Sequence, residues 1–227
     1  MRNATKITVS TFGVVMGLAG IEHGIGEILQ GNTTPGGLVI QSWPGSAFFE
    51  IMAGEPAMTI VPNLLVTGIL AVLSSLLFIL WAARFIHRVH GGPVLMLLSI
   101  VMLLVGGGFG PPVMGIILSA AATRIHAPWA WWRRRLPMGL QRALAKSWRW
   151  SFIAGLIAWL LLMPGANLLA YFFCVDNPNL VPVLFFFALG FLLLTFLTGF
   201  AWDIQRGSDS QQALTKISGR AASQAAS

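Results

Sequence analysis

Charged residues are scarce in this chain: Asp, Glu, Lys and Arg together make up 9% of its 227 residues. Soluble domains carry about 25%, so a water-soluble globular protein is excluded. Hydrophobic residues make up 56% of the sequence, and the mean hydropathy is +0.78. Cysteine is nearly missing too. Cys174 stands alone, which rules out a disulfide framework and a cysteine-based zinc knuckle.

Catalytic signatures are equally thin. There is no His-Glu-x-x-His, so a zincin site is excluded. A di-iron carboxylate centre needs two Glu-x-x-His pairs, and His23 is the single histidine inside a candidate span. Bis-histidine haem fails on the same count. The glycine-rich stretch GGGFGPP (106–112) lacks the Lys-Ser/Thr of a phosphate loop and follows no strand, which argues against nucleotide binding. No serine or cysteine nucleophile sits near a partnered base in the sequence. The inventory leans away from an enzyme.

Long apolar runs are what the chain does have, and the short alternating pattern of a membrane barrel is missing. Helices satisfy their own backbone in lipid, and about 20 residues span a bilayer core. The expected fold is an all-α, polytopic helical membrane protein. Four spans are read directly: Ile7 to Gln30, Thr59 to Trp81, Trp150 to Phe173 and Pro182 to Trp202. The amino-terminal run resembles a signal peptide but continues past Ile21 without a small-residue cleavage site, so it is read as an uncleaved first helix.

Residues 91–125 are read through charge. With Arg2 and Lys6 inside, the second span returns Arg84 and Arg88 to the inside. A single third span would then put Arg124, Arg133, Arg134, Arg135, Arg142, Lys146 and Arg149 outside, half of the fourteen basic residues. A Gly/Pro-turned hairpin with arms of about 16 to 18 residues keeps them inside, at a length of about 24 to 27 Å per arm. The chain thus reads as six segments with both termini cytoplasmic. Residues 1–125 form a four-segment bundle with an outer loop at 31–57. Residues 126–149 form a basic, tryptophan-rich cytoplasmic linker. Residues 150–203 form a two-segment hairpin, and 204–227 a disordered tail. A prokaryotic-type cell membrane is the expected location.

This arrangement separates charge. Every Lys and Arg falls inside, whereas Glu22, Glu27, Glu50, Glu55 and Asp176 share the outer half with no basic partner. On the first span Gly13, Gly17, Gly20, Gly24 and Gly31 fall within about 60° of one another. Small residues so placed let a second helix approach closely. Glu27 edges that stripe beside His23 and Gln30, while Glu22 points nearly the opposite way. A bland alternative has His23 and Glu27 simply bonded to each other. The outer loop is expected to carry a short helix over Ser46 to Ala53, with Glu50 on it, and Glu55 just before a second helix starting near Pro56. Asn63 lies at similar depth.

Ionisable groups in spans mark functional sites by default. His23, Glu27, Glu22, Glu50, Glu55 and Asn63 are therefore the candidates for a cation or proton site, with His23 and Glu27 the first candidates for holding a divalent cation. GGGFGPP and Pro164-Gly165 bring irregular backbone to the same level. His87 and His90 sit among arginines and read as interfacial. Trp129, Trp131, Trp132, Trp148 and Trp150, with the basic residues beside them, suit the headgroup level and anionic lipid; nucleic acid is not the expected partner. The leading reading is a transporter- or sensor-like module with an acidic, outward-facing cavity. Alternatives are a structural or assembly subunit, whose glycine seam packs a membrane partner or a second copy, and a membrane-embedded metalloenzyme.

Overall fold

The computed structural model describes residues 3–125, 137–177 and 179–225. Helix α1 spans Ala4–Leu29 and is capped by Asn3, whose side chain accepts from the Lys6 N–H. It stops where Gly31 takes a left-handed φ of 75°, a conformation glycine adopts without Cβ strain. The loop that follows holds two short strands, β1 (Val39–Gln41) and β2 (Pro56–Met58). They pair antiparallel with Ile40 opposite Ala57. Between them Ala47–Met52 forms a 3₁₀ turn, close to the short helix expected over Ser46 to Ala53.

The expectation that the second helix starts near Pro56 is corrected. Pro56 begins β2, a first-strand position where its missing N–H is tolerated. Helix α2 (Leu64–Leu80) starts later, capped by the Asn63 side chain, and runs on through a π-helical turn at Trp81–Phe85. Helices α3 (Gly91–Leu104) and α4 (Gly110–Ala122) follow, the latter opening on Pro111 and Pro112, which suit a first helical turn. They run antiparallel: Gly92 lies against Ser119 and Thr123, and Gly115 against Ser99. With 14 and 13 residues, they are shorter than the expected arms and about 20 Å long. Their turn pairs with the loop sheet, Thr59 bridging Val105 and the Gly106 N–H donating to the Met58 carbonyl at 2.9 Å.

Helix α5 (Met138–Leu160) passes through a second π-helical turn, Leu161–Gly165, into α6 (Ala166–Phe173). Pro164 sits in that turn, where a proline's missing donor is accommodated by the altered bonding. Helix α7 spans Leu180–Ala225, so the backbone stays helical through the stretch from 204 expected to be disordered. The linker expected at 126–149 is helical from Met138 onward. Trp129, Trp131, Trp132 and Arg133 to Arg135 lie outside the described residues. Trp148 is buried between α1 and α7, its Nε1 donating to Thr8 Oγ1 at 3.4 Å, while Trp150 is exposed.

Four stretches are long and apolar enough to cross a membrane: Ala4–Leu29, Leu64–Phe85, Met138–Phe173 and Leu180–Gly207. Helix α1 packs against α2, α4 and α7. Gly13, Gly17, Gly20 and Gly24 lie along the contact with α2, and a Cβ at any of them would strike Ala82, Ile79, Ser75 or the Gly68 carbonyl. The core collects Phe12 and Met16 of α1, Phe78 of α2, Met102 of α3, Leu118 of α4, Trp159 of α5 and Leu192 of α7. Helices α5 and α7 are also tied by polar contacts, Ser151 to Thr198 at 2.7 Å and Thr195 to the Ser151 carbonyl at 2.9 Å. Such hydrogen bonds join helices where lipid removes the hydrophobic drive.

The chain path puts the ends of the bundle in contrast. Lys6, Arg84, Arg88, Arg124, Arg142, Lys146, Arg149 and Arg206 all belong to the end where α1 begins and α2 finishes. The loop sheet and the α3–α4 turn occupy the other end. At the basic end Asp203 of α7 accepts from the Ala4 and Thr5 N–H groups at 2.6 and 3.0 Å and from Thr5 Oγ1 at 2.7 Å.

Candidate functional site

Glu22, His23 and Glu27 lie in the last turns of α1, and the loop sheet folds across them. Gly26 makes that approach possible, because a Cβ there would strike the Ser42 carbonyl and the Trp43 ring. Gln30 pins the strand end, its Nε2 donating to the Gln41 and Ser42 carbonyls at 3.0 Å each. The loop then doubles back through Ala53, Gly54 and Glu55 at φ values of 53°, 73° and 56°. Successive left-handed residues are costly for non-glycines and cluster at functional sites. Here they turn Glu55 inward.

The result is a buried group in which Glu22, His23 and Glu55 each offer a ligand atom within 4.8 Å of the others. His23 Nε2 stands 3.2 Å from Glu55 Oε2. On the other side of the ring, His23 Nδ1 lies 2.9 Å from Ser42 Oγ, which donates to Glu27 Oε1 at 3.3 Å. Relative exposures are 2% for His23, 4% for Glu55 and 0% for both Ser42 and Glu27. Glu22 Oε1 and Glu27 Oε2 have no hydrogen-bond partner among the described residues.

A serine hydroxyl has one proton, and Ser42 commits it to Glu27. With that proton on the Glu27 side, Ser42 accepts from Nδ1–H, and Nε2 is the ring nitrogen that faces Glu55 and Glu22. A histidine that ligates metal through one nitrogen while its other N–H is held by a hydrogen-bonded carboxylate relay has the usual outer-shell arrangement. Ligands about 2.1 Å from a tetrahedral ion stand about 3.4 Å apart. The His23–Glu55 separation of 3.2 Å already matches that spacing, and Glu22 has to swing inward to complete it.

Two glycines of the α3–α4 turn close the site. Gly106 and Gly108 have φ values of 93° and 78°, and a Cβ at either would strike the Glu27 carboxyl group or the His23 ring respectively. Both conformation and space demand glycine. The irregular GGGFGPP backbone therefore lies against the same side chains that the sequence singled out.

The remaining candidates are placed elsewhere. Glu50 is exposed on the 3₁₀ turn, and Asn63 caps α2 by accepting from the Val66 N–H at 3.0 Å while contacting Asn32. His23 and Glu27 do not bond each other; Ser42 stands between them. Glu22, expected on the opposite side, joins His23 because the loop covers both faces of the helix end. Ser42 also overturns the expectation that no hydroxyl nucleophile neighbours a partnered base. Its signal was absent from the sequence, since Gln41-Ser42-Trp43 carries no pattern that pairs it with a residue 19 positions earlier.

Glu22 and Glu55 further line a cleft of about 310 Å³, walled by Phe48, Phe49, Trp159 and Met163. By architecture the chain is helical, with the make-up of an integral membrane protein. Comparison with protein-family models, curated proteins and solved structures finds no match for it.

Proposed function

We propose that this is a multi-pass membrane protein that binds a divalent cation at Glu22, His23 and Glu55, on the outer side of the membrane, as a transporter- or sensor-like module. The observation that carries the reading is the convergence of the three ligand atoms within 4.8 Å. His23 Nε2, 3.2 Å from Glu55 Oε2, supports it. One imidazole and two carboxylates suit borderline ions such as Zn²⁺ or Mn²⁺ better than soft ones. No Lys or Arg occurs between Lys6 and Arg84, so the sequence around the group supplies no competing cation.

The orientation is part of the proposal. Gathering the basic residues at one end of the bundle favours a cytoplasmic placement for that end and for both termini. The short pair α3 and α4 then enters from the cytoplasmic side and turns at the outer level, and local thinning or protein contact absorbs its short length.

The test is thermal unfolding of the purified protein after chelation, with Zn²⁺ or Mn²⁺ added back. A saturable rise in the midpoint is expected for wild type and not for Glu55→Gln or His23→Gln. A rise of equal size in both variants, or none in wild type, removes the proposal.

A second reading, proton exchange, is favoured by one specific feature: the continuous path from Glu55 through His23 and Ser42 to Glu27. In proteoliposomes it requires pH-driven proton flux that Ser42→Ala abolishes. Flux that survives this substitution discards it.

A further inference from the structure

The cleft beside the cation group has a feature that the cation does not explain. Asn167 lines it from α6, is 2% exposed, and leaves its Oδ1 without a hydrogen-bond partner. The orientation of this amide is set by its other arm, since Nδ2 donates to the Met163 carbonyl at 3.3 Å and reversal would oppose two acceptors. Glu22 brings a second acceptor to the same cleft, a carboxyl that also faces the Trp43 indole N–H. An unsatisfied buried acceptor is costly, and Asn167 Oδ1 in an apolar cavity calls for a ligand that donates a hydrogen bond. The position of Asn167 depends on the π-helical turn at Leu161–Gly165, which immediately precedes α6. Such turns recur at functional sites.

Everything else about the cleft is apolar. Its volume of about 310 Å³ is at the small end of the range for ligand pockets. Leu18 and Leu160, which also line it, are 56% and 48% exposed, so it opens on the apolar flank of the bundle, where lipid chains run. An occupant must therefore arrive from the hydrocarbon phase. Its head must be neutral: an ammonium would lose its hydration in an otherwise apolar cleft, and a phosphate or carboxylate would face Glu22 and Glu55 directly. A hydroxyl fits whether or not an ion is bound, donating to Asn167 in either case.

We propose that this cleft binds a lipophilic alcohol, its hydroxyl donating to Asn167 Oδ1 and its chain leaving between Leu18 and Leu160. The probe is hexadecanol carrying a mid-chain diazirine, photolysed with the full-length protein in nanodiscs, the adducts being mapped by peptide mass spectrometry. Saturable labelling of the Phe48–Phe49 segment or of Met163 is expected, displaced by hexadecanol and not by hexadecylamine or palmitate. Asn167→Leu should weaken apparent affinity roughly five- to tenfold, the worth of one buried hydrogen bond. Ala19→Trp, which fills the cleft from α1, should abolish saturable labelling in protein that still elutes as a single folded species. Chelation should leave labelling intact, so failure of the cation reading leaves this proposal standing. Unsaturable labelling spread over the exposed leucines of α2 and phenylalanines of α7, or displacement by the amine or the acid as effective as by the alcohol, overturns it.

Discussion

Carboxyl groups are taken out of solvent at both ends of this bundle, and the two ends treat them differently. At the basic end, Asp203 receives two backbone N–H groups and one hydroxyl, all at 3.0 Å or less. Those N–H groups are orphans of the first turn of α1, where the helix dipole also favours a negative charge. The aspartate is used up by structure. At the loop end, Glu22 and Glu27 each keep an oxygen without a partner, and Glu55 commits one of its oxygens to His23. A fold that needed these acids only for stability would have satisfied them, as it does Asp203. Unspent ligand capacity in a buried place is what separates a site from a clasp.

That contrast can be attacked in three places. The largest effect is expected from Gly106→Val, which drives a branched side chain into the Glu27 carboxyl at a φ of 93°. Strain and overlap together should cost about 3 kcal/mol or more, read as a fall in the thermal midpoint of the detergent-purified protein. An unchanged midpoint would mean that the turn is not built around Glu27. Next in size, Asp203→Ala strands two N–H groups and a hydroxyl and should cost about 2 kcal/mol, with Asp203→Asn recovering part of it through the remaining oxygen. The smallest effect belongs to Glu27→Gln, which should stay within about 1 kcal/mol of wild type, because a buried amide is cheaper to desolvate than a charge. A loss at Glu27 exceeding that at Asp203 would place both carboxyl groups in one structural class and break the comparison.

What the sequence could and could not reveal follows the same physical lines. Hydropathy locates the four long helices because each is an uninterrupted apolar run, and the glycine spacing on α1 marks a face that the fold sets against α2. The start of α2 was misplaced because Pro56 suits both a helix's first turn and a strand's first residue. Only pairing with Val39–Gln41 decides between them. Helical periodicity sets Glu22 and Glu27 on different sides of α1, and could not foresee a loop that brings Glu55 to Glu22 and His23. Ser42 and Asn167 carried no signal. One depends on strand placement, and the other on a π-helical turn that shifts side-chain register around Pro164. Glu55 was visible as an acid and invisible as a partner, since its inward aim comes from three left-handed residues in a row.

The Asp203 contact joins positions 198 and 199 apart in sequence. During synthesis α1 is made long before the residue that closes on its amino terminus. Until that residue emerges, α1 rests on α2, α4 and α5, with its first N–H groups still without their carboxyl partner. A chain truncated before α7 therefore leaves the opening turn of α1 without its carboxyl clasp, so the two extremes of the membrane bundle are stabilised together or not at all.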